Sequence, residues 1–396
     1  MNGVAATGAL RGVRVLDLTR YLAGPYCTML LGDMGADVVK IEPPGAARDF
    51  GAGPGAGAAN YFFLSVNRSK RSATLDLQQS EGRAAFRRMA AQADVVVENF
   101  RPAVMPGLGL AAETLRAANP RLIYCGISGF GADGPYAERP GFDQIAQAMS
   151  GLMSVTGTHE PTRAGIAIGD VLAGLFAAHG IGLALYARER SGAGQVVHTS
   201  LLEALVGVLS WSAGMYFASG TPPGLAGNHH PLTAPYGVHQ ARDGGFVIAC
   251  GSARQWEALC GTIGAAALLS DARFVSPAGR VAERRALTAA LEARLADRDV
   301  AQWVTLLNAA GVPSGPINDM AAVFADPQVL AREMVVALPH PTLGVVKTTG
   351  LPVKLSESPG AIERLPPALG ADTDDILREY GFNSGEVAAL RAAGAV

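Results

Sequence analysis

The sequence has 396 residues, of which 49% are hydrophobic and 17% charged, a composition typical of a folded globular protein long enough for two domains. Its formal net charge of −2 gives no electrostatic footprint for nucleic acid, so we expect no nucleic-acid partner. The four cysteines form no CxxC pair, which argues against a zinc site or a disulfide framework and favours a reducing cytoplasm.

The first half of the chain alternates apolar strand-like runs with helical ones. Strands are predicted at 14–18, 37–42, 73–77, 94–98, 121–127 and 194–200. Helices are predicted at 25–35, 81–93, 112–118, 142–154 and 171–190, with a glycine-rich loop at 51–57. This alternation favours a mostly parallel sheet covered on both faces. Ligands bind at the carboxyl ends of such strands, so the loops that begin at Thr19, Asn99 and Ser128 are candidate walls of a site.

The composition changes at Thr221, where a linker rich in proline and glycine follows a predicted helix at 201–219. Beyond it we predict a hairpin at 236–240 and 246–250, helices at 254–261, 281–296 and 299–309, strands at 345–349 and 353–355, and a helix from Asp372. The expected fold class is α/β, a Rossmann-like large domain with a mostly parallel sheet plus a smaller α+β domain. We expect residues 1–220 to form the large domain, 221–326 the small domain, and 327–396 to return to the large domain.

Asp170 is the one acid in an apolar, glycine-rich stretch between Gly165 and Gly174, where a long helix of small residues begins. From spacing alone a helix cap is the favoured interpretation, because aspartate suits an N-cap and the positive end of a helix. A reactive carboxylate is the alternative. The run 166–187 is apolar enough to suggest a membrane span, yet Asp170, His179 and four glycines favour a packed interior helix. The amino terminus shows no signal-peptide pattern, so we expect a cytoplasmic protein without a membrane partner.

Several common reaction sites are missing from the sequence. There is no Gly-Lys dipeptide of a Walker loop, and the turn after the first strand lacks the glycine triplet of a dinucleotide site. Ser128 is not in a Gly-x-Ser-x-Gly elbow, and His229-His230 has no partners at a metal-binding spacing. The acids Asp143 and Asp170 remain. A carboxylate without a metal or histidine partner can act as a covalent nucleophile toward an activated acyl group such as a thioester.

Motifs along nearly the whole chain match one enzyme family. The matching segments are 15–18, 23–25, 31–42, 67–72, 97–102, 141–143, 169–170, 191–195, 234–236 and 311–316. The chain therefore resembles the class III coenzyme A transferases of the CaiB/BaiF type, a family that also includes α-methylacyl-CoA racemases. Segments 64–68 and 315–319 look closest to succinyl-CoA:glutarate-type CoA-transferases.

This resemblance implies a mechanism and a set of residues. Asp170 falls on the family's nucleophile, which takes an acyl-CoA donor through a mixed anhydride and an aspartyl-CoA thioester to a carboxylic acid acceptor. Coenzyme A is then a substrate, no prosthetic group is expected, and the chains are expected to interlock as a homodimer. Backbone N–H groups near Gly169 or in the glycine-bearing loops are expected to stabilise oxyanions. The implied CoA-binding residues are Leu22, Ala23, Asn67, Lys70, Arg71, Asn99, Phe100 and Arg101.

Three further expectations concern the substrate. Phe142 and Asp143 are placed beside it, and Phe142 stands where racemases carry a histidine base, which favours a transferase. Arg68 is hypothesised to recognise the free carboxylate of a dicarboxylic acid. The glycine-run loop of the formyl-CoA:oxalate branch is missing, which disfavours oxalate as the acceptor. The alternatives left open are an α-methylacyl-CoA racemase and a non-catalytic CoA-binding protein.

Overall fold

A computed structural model describes residues 8–46, 48 and 60–396, so the glycine-rich loop predicted at 51–57 lies outside the described residues. The chain divides into two compact units. The first comprises Met1–Leu152, Arg163–Ala218 and Leu330–Val396, and the second comprises Met153–Thr162 and Ser219–Val329. The domain boundaries at 220/221 and 326/327 stay a prediction.

Six strands and ten helices precede residue 220 in the described part of the chain. The strands are β1 (Arg14–Asp17), β2 (Asp37–Glu42), β3 (Lys70–Thr74), β4 (Val95–Glu98), β5 (Ile123–Ser128) and β6 (Val196–Ser200). The helices are α1 (Ala23–Asp33), α2 (Tyr61–Val66), α3 (Ser80–Ala90), α4 (Val104–Gly107), α5 (Ala112–Ala118), α6 (Asp143–Met149), α7 (Leu152–Val155), α8 (Ile168–Ser191), α9 (Leu201–Gly207) and α10 (Ser210–Ser219).

These six strands form one sheet in the order β3-β2-β1-β4-β5-β6, and every pair is parallel. The prediction of a mixed α/β fold with a parallel sheet is therefore confirmed. The strand order reverses direction between β1 and β4, which makes a crevice outside their carboxyl ends. The loops after Asp17 and Glu98 flank this crevice.

Both faces of the sheet are covered, and the central strands send alternate residues into two separate cores. One core joins Leu16, Val96 and Tyr124 to α3, α5 and two helices of the carboxyl-terminal tail. The other joins Val15, Val97 and Cys125 to α1, α6, α8 and α9. The runs Val95–Val97 and Val15-Leu16 are fully buried, as a parallel sheet covered on both faces requires.

Helix α8 packs one face into the second of these cores through Ala173, Ala177, Ile181 and Ala184, which recur every three or four residues. By length and composition α8 could cross a membrane, and the bent pair α9–α10 would also pass that test. The core helices of soluble proteins pass it as well, so this observation is weak support for a membrane segment.

The second unit has its own core and a three-stranded antiparallel sheet. Its elements are β7 (Tyr236–Gln240), β8 (Gly245–Ala249), α11 (Ala253–Thr262), a 3₁₀ turn (Ala266–Leu269), α12 (Pro277–Ala282), α13 (Arg284–Leu295), α14 (Val300–Ala309), β9 (Ser314–Pro316) and α15 (Met320–Ala325). The tail holds α16 (Pro327–Ala331), β10 (Val335–His340), β11 (Gly344–Thr349), α17 (Thr373–Glu379) and α18 (Ser384–Ala392). Ile376 and Leu377 of α17 share a core with Phe86 of α3.

Several predicted elements differ from the structure. The helix predicted at 142–154 is two short helices, α6 and α7, and the one predicted at 281–296 is divided between α12 and α13. The strand predicted at 353–355 is not formed; instead β11 pairs with β10, an apolar run interrupted only by Pro339 for which no strand was predicted. The single helix predicted at 201–219 is two helices, α9 and α10, bent by 70°. Ser210 has φ of +45° at this break, in the left-handed region that interrupts a helix.

Candidate active site

Asp170 is the third residue of α8, whose N-cap is Ala167. The sequence-based interpretation of Asp170 as the N-cap is therefore wrong. The alanine side chain offers no oxygen to the free N–H groups of the first turn, so another group must satisfy them. Asp170 still lies in the first turn, where a negative charge interacts favourably with the helix dipole.

The Asp143 carboxylate supplies the missing cap. Its Oδ1 accepts the backbone N–H of Gly169 at 2.7 Å and lies 3.4 Å from the backbone nitrogen of Asp170. A Cβ atom at Gly169 would lie 2.9 Å from this Oδ1 and 3.0 Å from Leu205 Cδ1. Glycine before Asp170 therefore lets a carboxylate from α6 approach the start of α8. Since the Gly169 N–H donates to Asp143, this N–H could stabilise an oxyanion only by exchanging that bond, and the predicted role of neighbouring N–H groups stays a prediction.

The environment of Asp170 makes its ionisation difficult. Burial, and then the nearby charge of Asp143, raise the pKa of Asp170 to about 7. No salt bridge to Asp170 is found among the described residues. A half-buried carboxylate that is poorly solvated and lacks a cationic partner retains the reactivity of its oxygen atoms toward an electrophile.

The loop after β1 approaches this carboxylate through the packing of α1 on α8. A Cβ atom at Gly174, one turn after Asp170, would lie 2.4 Å from the carbonyl oxygen of Ala23. Leu22 is the N-cap of α1, so the predicted CoA-binding pair Leu22 and Ala23 lies at the end of α1 that touches this part of α8. The structure therefore brings these two predicted residues and Asp170 together.

Phe142 is the N-cap of α6, which packs on the same side of the sheet as α8. Its ring meets that of Tyr21 edge-on at 5.9 Å, and both side chains are exposed. Tyr21 has φ of +63°, an uncommon conformation for a tyrosine. The loop after β1 and the start of α6 thus form one aromatic rim, and Tyr21 was not predicted from the sequence.

Asn99 joins the two loops at the crevice. Its Oδ1 accepts the Arg20 N–H at 2.8 Å, and its Nδ2 donates to the Arg20 carbonyl oxygen at 2.7 Å. The N–H of the next residue, Phe100, donates to Glu98 Oε2 at 2.8 Å. Arg101 is exposed. An asparagine that bonds both backbone polar groups of one residue, Arg20, holds the loop after β1 against the loop after β4.

Lys70 and Asn67 are buried beneath these loops. Lys70 Nζ donates to Asp17 Oδ2 at 3.0 Å, Asn67 Oδ1 at 2.8 Å and the Pro25 carbonyl oxygen at 3.0 Å. These three bonds use every ammonium proton. Burial opposes the ionisation of Asp17, yet Lys40, Lys70 and two threonine hydroxyls hold its pKa well below the ordinary value. In this arrangement Lys70 stabilises the loop from below, and direct phosphate binding by it stays a prediction.

The arginines Arg68 and Arg71 are also engaged within the protein. Arg68 is buried, with Nε and Nη2 on Asp33 and Nη1 on Thr348 Oγ1 and the Thr349 carbonyl oxygen. Arg71 pairs with Asp37 and Glu379. Asp37 begins β2, so Arg71 lies at the amino ends of the strands, away from the crevice. Substrate or CoA contacts by these two residues stay predictions and would require the present bonds to be exchanged.

A cleft of about 510 Å³ opens at the carboxyl ends of β1, β2 and β4. Asn67 and Phe100, two of the predicted CoA-binding residues, line it, and their contact with CoA stays a prediction. Sequence reasoning missed Arg20, Arg48 and Phe63, which also line it. The Arg48 guanidinium lies 4.0 Å from the centre of the Phe63 ring and pairs with Glu42. The aromatic run before Asn67 was a usable signal, whereas nothing near Arg48 in the sequence marks it.

Comparison with known proteins gives consistent matches over the whole chain. Residues 10–373 match the family described as CoA-transferase family III. The chain is 43% identical to the acetyl-CoA:oxalate CoA-transferase of Acetobacter aceti, over 89% of this chain and 92% of that protein. It is 37% identical to the succinyl-CoA:glutarate CoA-transferase of Mus musculus, over 98% of this chain and 90% of that protein. A crystal structure of a CAIB/BAIF family protein from Brucella suis is 40% identical, with a TM-score of 0.85 over 94% of this chain and all of that one.

Proposed function

The chain belongs to CoA-transferase family III, and we propose that it moves CoA from an acyl-CoA donor to a carboxylic acid through covalent intermediates on Asp170. One observation carries the proposal. Asp170 is a half-buried carboxylate in the first turn of α8, it forms no salt bridge with the described residues, and it lies beside the helix that follows the loop after β1. A weakly solvated carboxylate is a better nucleophile than one held in an ion pair.

The chemistry proceeds by acyl exchange. An Asp170 oxygen attacks the thioester carbonyl carbon, the C–S bond breaks, and CoA thiolate leaves a mixed anhydride. The thiolate then attacks Asp170 Cγ, which releases the donor acid and forms an aspartyl-CoA thioester. The acceptor carboxylate attacks this thioester and expels the thiolate. The thiolate finally attacks the acceptor's carbonyl carbon and frees Asp170. Every bond broken is replaced by one of similar reactivity, so no further energy source is required.

The acceptor is proposed to be a dicarboxylic acid, with succinyl-CoA or a similar thioester as the donor. Relatives named for glutarate and for oxalate both support a diacid. The relative named for oxalate is 43% identical, so the missing glycine-run loop does not exclude oxalate. Phe142 carries no titratable group beside Asp170, which supports acyl transfer over a two-base racemisation.

We propose that CoA enters the cleft between the loops after β1 and β4, with Asn99, Phe100 and Arg101 at its edge. Phe100 and Phe63 offer aromatic surface for a base, and Arg20 and Arg48 offer charge for phosphates. Lys70 and Asn67 contribute by holding the loop that carries Leu22 and Ala23.

A cytoplasmic homodimer is also proposed. Helices α8 and α10 expose large apolar side chains, including Leu183, Tyr186, Trp211 and Phe217, the last of them 80% exposed. Large apolar side chains concentrated on exposed helix faces are typical of protein interfaces. Light scattering of the purified protein should give twice the chain mass of 40.7 kDa, and a monomer would contradict this part of the proposal.

The mechanism is tested by assaying acyl-CoA donors against mono- and dicarboxylic acids with the wild type and Asp170→Asn. The expected result is transfer to a diacid by the wild type and none by the variant. Intact-mass measurement should show an adduct of CoA on the wild type, mapped to Asp170 after digestion. A variant that binds CoA normally and still transfers it would remove Asp170 from the mechanism.

A further inference from the structure

Beyond the proposed nucleophile, and resting on it, we infer that Gln147 is the positioning residue that holds the start of α8, and therefore Asp170, in its reactive place. Gln147 is fully buried on α6, one turn after Asp143. It has no direct bond to Asp170. It acts through two neighbours of Asp170, one a side chain and the other a stretch of backbone.

The first connection runs through the capping carboxylate. Gln147 Nε2 donates to Asp143 Oδ2 at 2.6 Å. The other oxygen, Oδ1, accepts the Gly169 N–H at 2.7 Å. Because one oxygen is held by the amide, the carboxylate cannot rotate without losing a bond at both ends. Gln147 thereby keeps Asp143 directed at the first turn of α8.

The second connection runs to the segment that enters α8. Gln147 Oε1 accepts the Ala164 N–H at 2.9 Å, and Nε2 also lies 3.4 Å from the Ile166 carbonyl oxygen. Ile166 lies two residues before the start of α8. One side chain therefore fixes the helix and the chain leading into it relative to α6.

This site specifically requires an amide. It must donate to a carboxylate and accept from a backbone N–H, and only a side chain with both functions satisfies the two partners. Leucine at this position would fill a similar volume while leaving Asp143 Oδ2 and the Ala164 N–H without a partner. Glutamate, once ionised, would keep the acceptor for Ala164 and lose the donor to Asp143.

Attack on a thioester depends on placing the carboxylate oxygen close to the carbonyl carbon. A displacement of about 1 Å can lower a rate by about 100-fold. None of the residues proposed to bind CoA is a hydrogen-bond partner of the Gln147 side chain, whose partners in the described part of the chain are Asp143, Ala164 and Ile166. Loss of Gln147 should therefore lower the rate of acyl transfer without weakening CoA binding.

The test compares Gln147→Leu and Gln147→Glu with Gln144→Leu, the same substitution as the first on an exposed position of α6. Each is measured for kcat, KM of the acyl-CoA donor, CoA affinity by calorimetry, yield of the CoA adduct on Asp170, and folded fraction in urea. We expect both Gln147 variants to lose about 100-fold in kcat and in the rate of adduct formation. CoA affinity should stay within about twofold, and Gln144→Leu should behave as the wild type.

The inference is overturned if the Gln147 variants retain wild-type kcat and adduct yield. It is also overturned if their losses equal the loss of folded protein, since Gln147 would then act on stability alone. Gln147→Glu keeps the bond to Ala164, so it still tests the inference if Gln147→Leu fails to fold. A wild type with no adduct on Asp170 would instead remove the proposed mechanism, and this inference with it. If the wild type forms the CoA adduct on Asp170 and the Gln147 variants form it equally well, only the inference about Gln147 is removed.

Discussion

Glu98 and His198 lie on either side of Gly126, the residue of β5 that pairs with both of them in the sheet. A Cβ atom at Gly126 would lie 3.1 Å from Glu98 Oε1 and 3.0 Å from His198 Nδ1. The missing side chain leaves room for the Glu98 carboxyl group, which also meets the Tyr124 hydroxyl and the Phe100 N–H. Glu98 therefore connects the sheet with the Asn99–Phe100 end of the proposed CoA cleft.

Glu98 should make stability depend on pH. Burial raises its pKa from 4.5 to about 7. The folded protein then keeps a proton that the unfolded chain releases, so the free energy of unfolding falls as pH rises from about 4.5 to about 7 and levels off above that. The contribution is about 3 kcal/mol. Glu98→Gln keeps an acceptor for the Phe100 N–H and removes the titration.

Urea denaturation at pH 5 and pH 8 checks this expectation. The wild type should lose more stability between the two values than Glu98→Gln does, because Asp170 and all other groups titrate in both proteins. The exposed Glu81→Gln should match the wild type. Equal pH dependence in the wild type and Glu98→Gln would show that the buried carboxyl is ionised throughout.

Asp143→Asn should change the pH dependence of catalysis. The charge of Asp143, after burial, raises the pKa of Asp170. The asparagine oxygen can still accept the Gly169 N–H, but its NH2 group cannot accept from Gln147 Nε2, so kcat should fall as well. The acid limb of kcat/KM, expected near pH 7 in the wild type, should move down by about one pH unit. Asp133→Asn, on an exposed loop, should leave the limb in place. A limb unmoved in Asp143→Asn would mean that Asp170 ionisation does not control the rate.

Lys70→Met should destabilise the fold, because it leaves Asp17 buried without its ion-pair partner at 3.0 Å. Breaking one side of such a pair costs about 3–5 kcal/mol. Urea denaturation measures the loss, and Lys354→Met, at an exposed and loosely paired lysine, is the control, with an expected change of about 1 kcal/mol or less. A stable Lys70→Met with sharply weakened CoA binding would instead support the predicted phosphate contact.

Arg68→Met separates a structural role from substrate recognition. The buried Asp33 would lose its partner at 2.8 Å, and β11 would lose two bonds, so stability should fall by about 3–5 kcal/mol. KM values for monoacids and diacids should change by the same factor in the folded fraction. Arg294→Met, on the exposed side of α13, controls for loss of positive charge. A selective rise in KM for diacids would restore the hypothesis that Arg68 binds a free carboxylate.

Gly174→Ala should separate α1 from α8. The added methyl group would lie 2.4 Å from the Ala23 carbonyl oxygen, and such overpacking typically costs about 1–3 kcal/mol. The displacement of α1 should also lower kcat, because it moves Leu22 and Ala23, at the start of α1, relative to Asp170. Gly182→Ala, in the same helix with no heavy atom within 4 Å of its Cβ position, should be neutral or stabilising. Thermal unfolding and steady-state kinetics of both variants provide the comparison.

Much of the first unit was predictable from local sequence. The strand Asp37–Glu42 and the helix Ala112–Ala118 were predicted with the bounds observed, and the alternation of elements correctly predicted a parallel sheet. Apolar runs bounded by glycine and proline are local signals, because the periods of strand and helix are set by the backbone itself. The family followed from motifs alone, and with it the choice of Asp170 over every other acid.

Tertiary structure decided what each charged residue near the site contacts. β3 was predicted at 73–77, with Lys70 and Arg71 placed before it as CoA-binding residues, yet the strand is Lys70–Thr74. Lys70 is neutralised by Asp17 and Arg71 by Asp37, both more than thirty positions away in the chain. Asp170 was predicted to cap its own helix, and Asp143 caps it instead. Such partners are set by sheet register and helix packing, which bring distant segments together and leave no trace in local spacing.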